Sequence, residues 1–288
     1  MEADYLATIL LNGVSFGALL ILAALGLTLF WGLMDVINIS HAAFIAMGAY
    51  IGFAFFEMSG FWVGLVVSMI IMAGIGAGLY AGVIKRIVGW PPAISILLTF
   101  GLALILIDLL KVGWGVYPRA IDVPQVLAFL VSIGDFTYPF YRIFVIVVGL
   151  VAWAGLWTFL EKTNVGISVR AALENKEMTA ALGINIPRLY LFVFALGAAL
   201  AALCGFIAAP LVSVEYDMGW HFLLLSFVLV VTGGVGSLGG ILVGGIVLGI
   251  LYAGVALITP QLASMVIFVA MFVSIAFLPR GILGRGLE

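Results

Sequence analysis

The sequence predicts an all-α fold: a polytopic transmembrane helical bundle with broken or re-entrant helices and about eight or nine membrane segments. Three observations carry that expectation. First, 66% of the 288 residues are apolar and 8% are charged, whereas soluble domains run at about 45–50% and about 25%. Eleven basic and thirteen acidic side chains cannot clothe a core of that size in water. Second, the apolar residues gather into runs able to cross a hydrocarbon layer of about 30 Å, which takes about 20 residues at 1.5 Å each. Third, the alternating pattern of a membrane barrel is absent, which leaves helices that pair their own backbone groups. The same counts exclude other classes. A net charge of −2 is too balanced for a nucleic-acid partner. The one cysteine, Cys204, lies inside an apolar run, so neither a disulfide framework nor a thiolate metal site is expected.

The runs follow in order. The first lies between Asp4 and Asp35, and its front edge, Met1-Glu2-Ala3-Asp4, lacks the basic start of a cleavable signal, so this helix is expected to be retained. Further runs cover Ile37–Phe56, Phe61–Ile84, Ala93–Leu110, Tyr141–Leu160, Leu189–Val214, Phe222–Ile258 and Leu262–Leu278. The run from Phe222 is about twice a normal span. Gly233, Gly234, Gly236, Gly239 and Gly240 interrupt it and should break the helix, since glycine costs about 1 kcal/mol in a helix interior. Two short spans or a re-entrant hairpin are both open, and this cluster is a candidate for broken backbone lining a cavity at membrane depth.

Basic residues set the expected orientation. Lys85, Arg86, Lys162, Arg170, Lys176, Arg188, Arg280 and Arg285 fall on one side, and Lys111, Arg119 and Arg142 on the other. The positive-inside rule then predicts the N-terminus outside and the C-terminus in the cytoplasm.

Two connections are long. The outer one, Lys111 to Tyr138, carries Trp114, Tyr117, Pro118 and Pro124 and fits a turn-rich interfacial loop or a docking surface for an external protein. The inner segment, 162–188, predicts a helix from Val169 to Leu182, with Ser168 as N-cap, Gly183 as stop and Pro187 barring continuation. Its charges are of both signs: Arg170, Glu174, Lys176 and Glu177. A helix lying on the membrane surface and a helix gripped by a protein partner both fit.

Polar residues inside the runs are few. Asn38, Ser40 and His41 cluster at the start of the second run, and Ser95 and Thr99 share one face of the fourth. Asp108 lies near Lys111 and should pair locally. No acid pair or Asp/His chain stands at mid-depth, which argues against ion coupling. His41 and His221 lie in no metal motif, no catalytic triad is visible, and no lysine follows a glycine, so no phosphate-binding loop exists. No catalytic or metal-ligating residue is therefore expected, and any ATP drive must come from another chain. Glycines recur four apart, as at Gly48 and Gly52, or Gly74, Gly78 and Gly82, which suits close helix packing.

At these residues the sequence resembles a known family, the shorter permease subunit of branched-chain amino acid ABC importers. Gly26-Leu27-Thr28, then Asp35 to His41 and Met47-Gly48-Ala49-Tyr50, resemble its N-terminal signature, although Ser40 and Ala42 stand where alanine and glycine are usual. Gly166 to Asn185 resembles its coupling segment, Thr232 to Gly249 its glycine-rich stretch, and Pro279 to Arg285 its tail. The resemblance spans nearly the whole chain as one permease domain, 1–288. It implies a heterodimer with a second, longer permease subunit. Two cytoplasmic ATP-binding subunits that hydrolyse ATP and a periplasmic substrate-binding protein would complete the importer, with no cofactor on this chain. It further implies that Arg170, Glu174, Glu177, Ala181 and Gly183 couple to an ATPase, in a multi-pass protein of the bacterial inner membrane. Asn38, His41, Ser95 and Thr99 are the expected substrate-path residues. Transport of urea, amides or aromatic acids is the alternative within the family, and a stand-alone carrier or channel lies outside it. An intramembrane enzyme would need an acid/base pair that the sequence lacks.

Overall fold

The computed structural model describes residues 2–133, 136–278 and 281–283. Apolar runs, forced to pair their backbone groups internally, become helices, and proline marks where several begin. Pro92, Pro187 and Pro260 each sit in a first turn, where the missing N–H costs nothing. The helices described are α1 (Glu2–Met34), α2 (His41–Ser59), α3 (Phe61–Gly82), α4 (Pro92–Trp114), α5 (Phe140–Lys162), α6 (Asn164–Glu174), α7 (Lys176–Ala181), α8 (Ile186–Val212), α9 (Met218–Gly233), α10 (Leu238–Ile258) and α11 (Ala263–Phe277). Eight helical segments are long and apolar enough to cross a membrane, and α9 is a shorter apolar helix.

Burial sorts these helices into a centre and a rim. The apolar window of α1 is 89% buried and that of α8 is 78% buried, against 17% for α5 and 11% for the last span. A helix that is apolar all round and covered all round belongs in the middle, whereas one with a bare apolar face needs lipid. Small residues let the central helices touch. Gly13 and Gly17 of α1 meet Ile250 and Gly245 of α10, Gly26 meets Gly197 of α8, and Gly48 of α2 meets Ala202 of α8. These pairings run α8 and α10 antiparallel to α1, and α2 parallel to α8. Gly74, Gly78 and Gly82 differ, since a side chain at any of them would meet open space.

The chain is interrupted within the bundle at two places. After Met34 the segment Asp35–Ser40 turns back along α1, with the Val36 N–H bonded to the Phe30 carbonyl. By His41 it has climbed to Ala23, whose carbonyl bonds the imidazole at 2.9 Å, about 16 Å from the end of α1. Helix α2 therefore starts at mid-depth. The second interruption, Ser213–Asp217, leads from α8 to α9, whose Gly219 lies against Ala42 of α2. At 16 residues, or about 24 Å, α9 is too short to span alone.

The double-length run from Phe222 is an antiparallel pair, α9 and α10, joined by a tight turn over 234–237. Only Gly234 and Gly236 of the five glycines lie in that turn; Gly233 ends α9, and Gly239 and Gly240 belong to α10. The turn packs beside Gly32 near the end of α1, at one rim of the bundle. The expected break of the run thus falls inside this cluster, between Gly233 and Leu238. These glycines make a sharp reversal where α9 and α10 touch, and the backbone at Gly236 needs a φ of +79° that side chains resist.

Two corrections concern the connections. The helix expected over Val169–Leu182 is two helices, because Asn175 ends α6 and caps α7 by accepting the Met178 N–H at 2.8 Å. Ser168 is no cap. It lies inside α6 and donates back to the Asn164 carbonyl, while Thr163 caps that helix by accepting the Gly166 N–H. The outer segment contains a short antiparallel pair, β1 (Leu130–Ile133) and β2 (Phe136–Pro139), with Val131 opposite Tyr138.

Candidate translocation site

The interruption before α2 exposes backbone groups that a helix would have paired, and at this depth water cannot serve them. Thr99 of α4 serves them instead. Its hydroxyl oxygen accepts the Ile39 N–H at 3.0 Å, and its proton goes to the Ser95 carbonyl at 2.6 Å, with the Ile37 carbonyl at 3.2 Å. Asn38, between those isoleucines, turns its Oδ1 to the Ser40 N–H and hydroxyl. Ser95 steadies the base of α4 through the Pro92 carbonyl. The four expected path residues are therefore gathered within one small region: Asn38 and His41 on the interrupted strand of chain, Ser95 and Thr99 on the helix that holds it.

All four are buried. Two hydrogen-bonding atoms remain unused. The His41 imidazole donates from Nε2 to the Ala23 carbonyl, which leaves Nδ1 as an acceptor with no partner. The Asn38 Nδ2 is a donor with none. Unsatisfied polar atoms at such depth are expensive, about 1–3 kcal/mol each. A ring cluster seals the region: Phe30 stands edge-on to His41 at 5.7 Å and packs on Phe194 at 4.5 Å, while Gly197 makes room for the Phe30 ring. Ser40 uses its hydroxyl on Asn38, and the backbone carbonyl of Ala42 lies where a side chain at Gly219 would have to go.

The segment 162–188 stands at the rim that also carries Lys85 and Arg86. Arg170 pairs with Glu161 at the end of α5, which fastens α6 to the bundle. Glu174, Glu177, Ala181 and Gly183 are exposed. So are the apolar side chains of Ile167, Leu173, Met178 and Leu182, the last at 75%. Gly183, at φ +87°, reverses the chain after α7, and Asn185 caps α8 by accepting the Arg188 N–H. The elbow of α6 and α7 thus offers exposed apolar side chains among charges of both signs.

At the opposite rim, Asn12 of α1 accepts from the Tyr138 hydroxyl at 3.0 Å and from Arg142 at 2.8 Å. Burial holds the Tyr138 phenol above its ordinary pKa, with Arg142 working the other way, so it stays a neutral donor. Arg119 and Val214 exchange backbone bonds, and the Lys111 ammonium, paired with Asp108 at 2.9 Å, lies over the Tyr216 ring. This rim fixes the second interruption. Sequence reasoning missed it, since its partners lie roughly a hundred positions or more apart, whereas the Thr163 and Asn175 caps carried a readable signal in their residue type. Among the described residues no group of three His, Cys, Asp or Glu is placed to hold a metal ion.

A multi-pass helical bundle with two interrupted helices meeting at mid-depth and an exposed elbow at one rim is a membrane permease component. The family model described as "Branched-chain amino acid transport system / permease component" matches residues 9–275, and the chain belongs to that family. It is 28% identical to the high-affinity branched-chain amino acid transport system permease protein BraD of Pseudomonas aeruginosa, over 96% of this chain and 95% of that protein. LivH of Escherichia coli K12, a permease protein of the same description, is 27% identical over 95% and 94%. A probable branched-chain amino acid transport permease protein LivH of Methanocaldococcus jannaschii is 28% identical over 89% and 82%. In fold, PsaBC from Streptococcus pneumoniae in complex with Fab superposes with a TM-score of 0.54 over 97% of both chains, at 15% identity.

Proposed function

We propose that this chain forms half of the membrane path of an ATP-driven importer and passes branched-chain or related hydrophobic amino acids inward by alternating access. A second, longer permease subunit supplies the other half, two cytoplasmic ATP-binding subunits hydrolyse ATP, and a periplasmic substrate-binding protein delivers the solute. The protein lies in the bacterial inner membrane, N-terminus outside and C-terminus in the cytoplasm. The names of its relatives support the substrate class, and the excess of lysine and arginine on the elbow's rim supports the orientation.

The observation that carries this reading is the elbow of α6 and α7. The exposed side chains of Ile167, Leu173, Met178 and Leu182, set among Glu174 and Glu177, suit a groove in another protein better than water or anionic headgroups. Arg170, held by Glu161, transmits push or pull on the elbow to α5. At mid-depth, Asn38 Nδ2 and His41 Nδ1 are a spare donor and acceptor that a zwitterionic solute can use once the rings around Phe30 part. The short α2 and α9, which meet by their first turns, are the elements whose rocking opens that space.

Gly183→Arg tests the docking assignment. Uptake driven by ATP should fall to background, while co-purification with the other subunits' membrane components and folded yield stay near wild type. Gly183→Asn, which tolerates the same backbone, should keep most uptake. Normal uptake by the arginine variant overturns the assignment. Uphill transport by this chain alone in liposomes, without nucleotide, overturns the whole reading.

A further inference from the structure

Beside the elbow, where α3 ends and α8 begins, a cavity of about 320 Å³ is lined by Tyr80, Ala81, Lys85, Asn185, Pro187, Arg188 and Leu191. It is amphipathic. One wall presents two cations from different elements, and neither Lys85 nor Arg188 has a carboxylate partner among the described residues. Asn185 spends its Oδ1 on the Arg188 N–H, which leaves its amide N–H groups free beside them. The first turn of α8 adds its positive dipole end. The other wall is apolar, from Tyr80 and Ala81 of α3 with Pro187 and Leu191 of α8, and farther along α3 a side chain added at Gly74, Gly78 or Gly82 would meet nothing. Helical spacing places Gly74, Gly78, Ala81 and Gly82 along one side of that helix, and Lys85 follows in the short 3-10 turn Ile84–Arg86.

We propose that this cavity holds an anionic phospholipid, with its phosphate between Lys85 and Arg188 and an acyl chain lying along the glycine stripe of α3. Two unpaired cations at a membrane rim select a negative headgroup. The smooth stripe leading away from them selects a ligand with a hydrocarbon tail over a free inorganic anion. The bound lipid sits against the first turn of α8, directly after Gly183 and Asn185, so it steadies the segment through which the elbow joins the bundle.

The test uses the chain purified from its membrane together with its accompanying subunits, depleted of lipid, and then titrated with phosphatidylglycerol under native mass spectrometry. Saturable binding is expected, with phosphatidylcholine binding far more weakly. Lys85→Gln with Arg188→Gln should weaken phosphatidylglycerol by about fivefold for each cation removed. Gly78→Leu should weaken it as well while leaving the binding of inorganic phosphate unchanged. Equal retention by the double variant overturns the proposal, as does equal binding of phosphatidylcholine. Full competition by inorganic phosphate reduces the site to a plain anion pocket and removes the lipid. Binding that occurs only after the accompanying subunits are stripped away assigns the cavity to a subunit contact instead.

Discussion

The interruptions at 35–40 and at 234–237 solve opposite problems. The first contains no glycine: Asp35-Val36-Ile37-Asn38-Ile39-Ser40. It runs inward from an exposed Asp35 to mid-depth, with Asn38 and Ser40 buried, and its backbone is served by the Thr99 hydroxyl and by Asn38. The second is Gly234-Val235-Gly236-Ser237, at the rim, with Val235 exposed. Its neighbours are served mostly by backbone: the Ile282 N–H bonds the Thr232 carbonyl at 2.9 Å, and one side chain, the Ser237 hydroxyl, donates to the Leu283 carbonyl. Inside hydrocarbon the scarce resource is a hydrogen-bond partner, so polar side chains mark the interruption. At the rim water is at hand and the scarce resource is conformational freedom, so glycine marks it.

That contrast can be broken or sharpened by substitution. The largest effect is expected at Gly219, where α9 crosses α2. A side chain there would lie on the Ala42 carbonyl, so Gly219→Val should cost more than about 3 kcal/mol and abolish folded yield in detergent. Unchanged yield and thermal midpoint would mean that the two helices do not meet in this way. Thr99→Val comes next. It strands the Ile39 N–H and should cost about 1–3 kcal/mol in thermal unfolding, with most of the loss restored by Thr99→Ser. The smallest is Ser237→Ala, which removes the cap on α10 and the tie to Leu283 for about 1 kcal/mol. If this last change cost as much as Thr99→Val, depth would not be what separates the two interruptions.

The spans themselves were readable because length and apolarity alone decide what can cross hydrocarbon. The two polar clusters, Asn38-Ser40-His41 and Ser95 with Thr99, were readable because polar residues are so few in the runs, but that the Thr99 hydroxyl serves the backbone of Ile37 and Ile39 was not. What escaped was the depth of each feature. Ile37-Asn38-Ile39 has the composition of an ordinary helix start, and nothing local says that it is extended and leans on α4. The glycine cluster from Gly233 to Gly240 drew attention because glycine weakens helices, but two of those glycines serve to let α9 and α10 touch. Gly240 lies against Gly233, a contact between helices that no spacing rule can place. In the segment 162–188, Asn175 was overlooked as a cap because the surrounding residues read as one continuous amphipathic stretch.

The burial of α1 bears on how the protein is made. It is made well before α10, which covers much of its surface and is synthesised roughly 200 residues later, at about 5–20 residues per second a delay of about 10–40 s. In water so long an exposure of an apolar helix would invite aggregation. In a bilayer the lipid tails solvate it, so α1 can wait in place, and the final bundle closes around a helix made long before its neighbours α8 and α10 rather than growing outward from a finished nucleus.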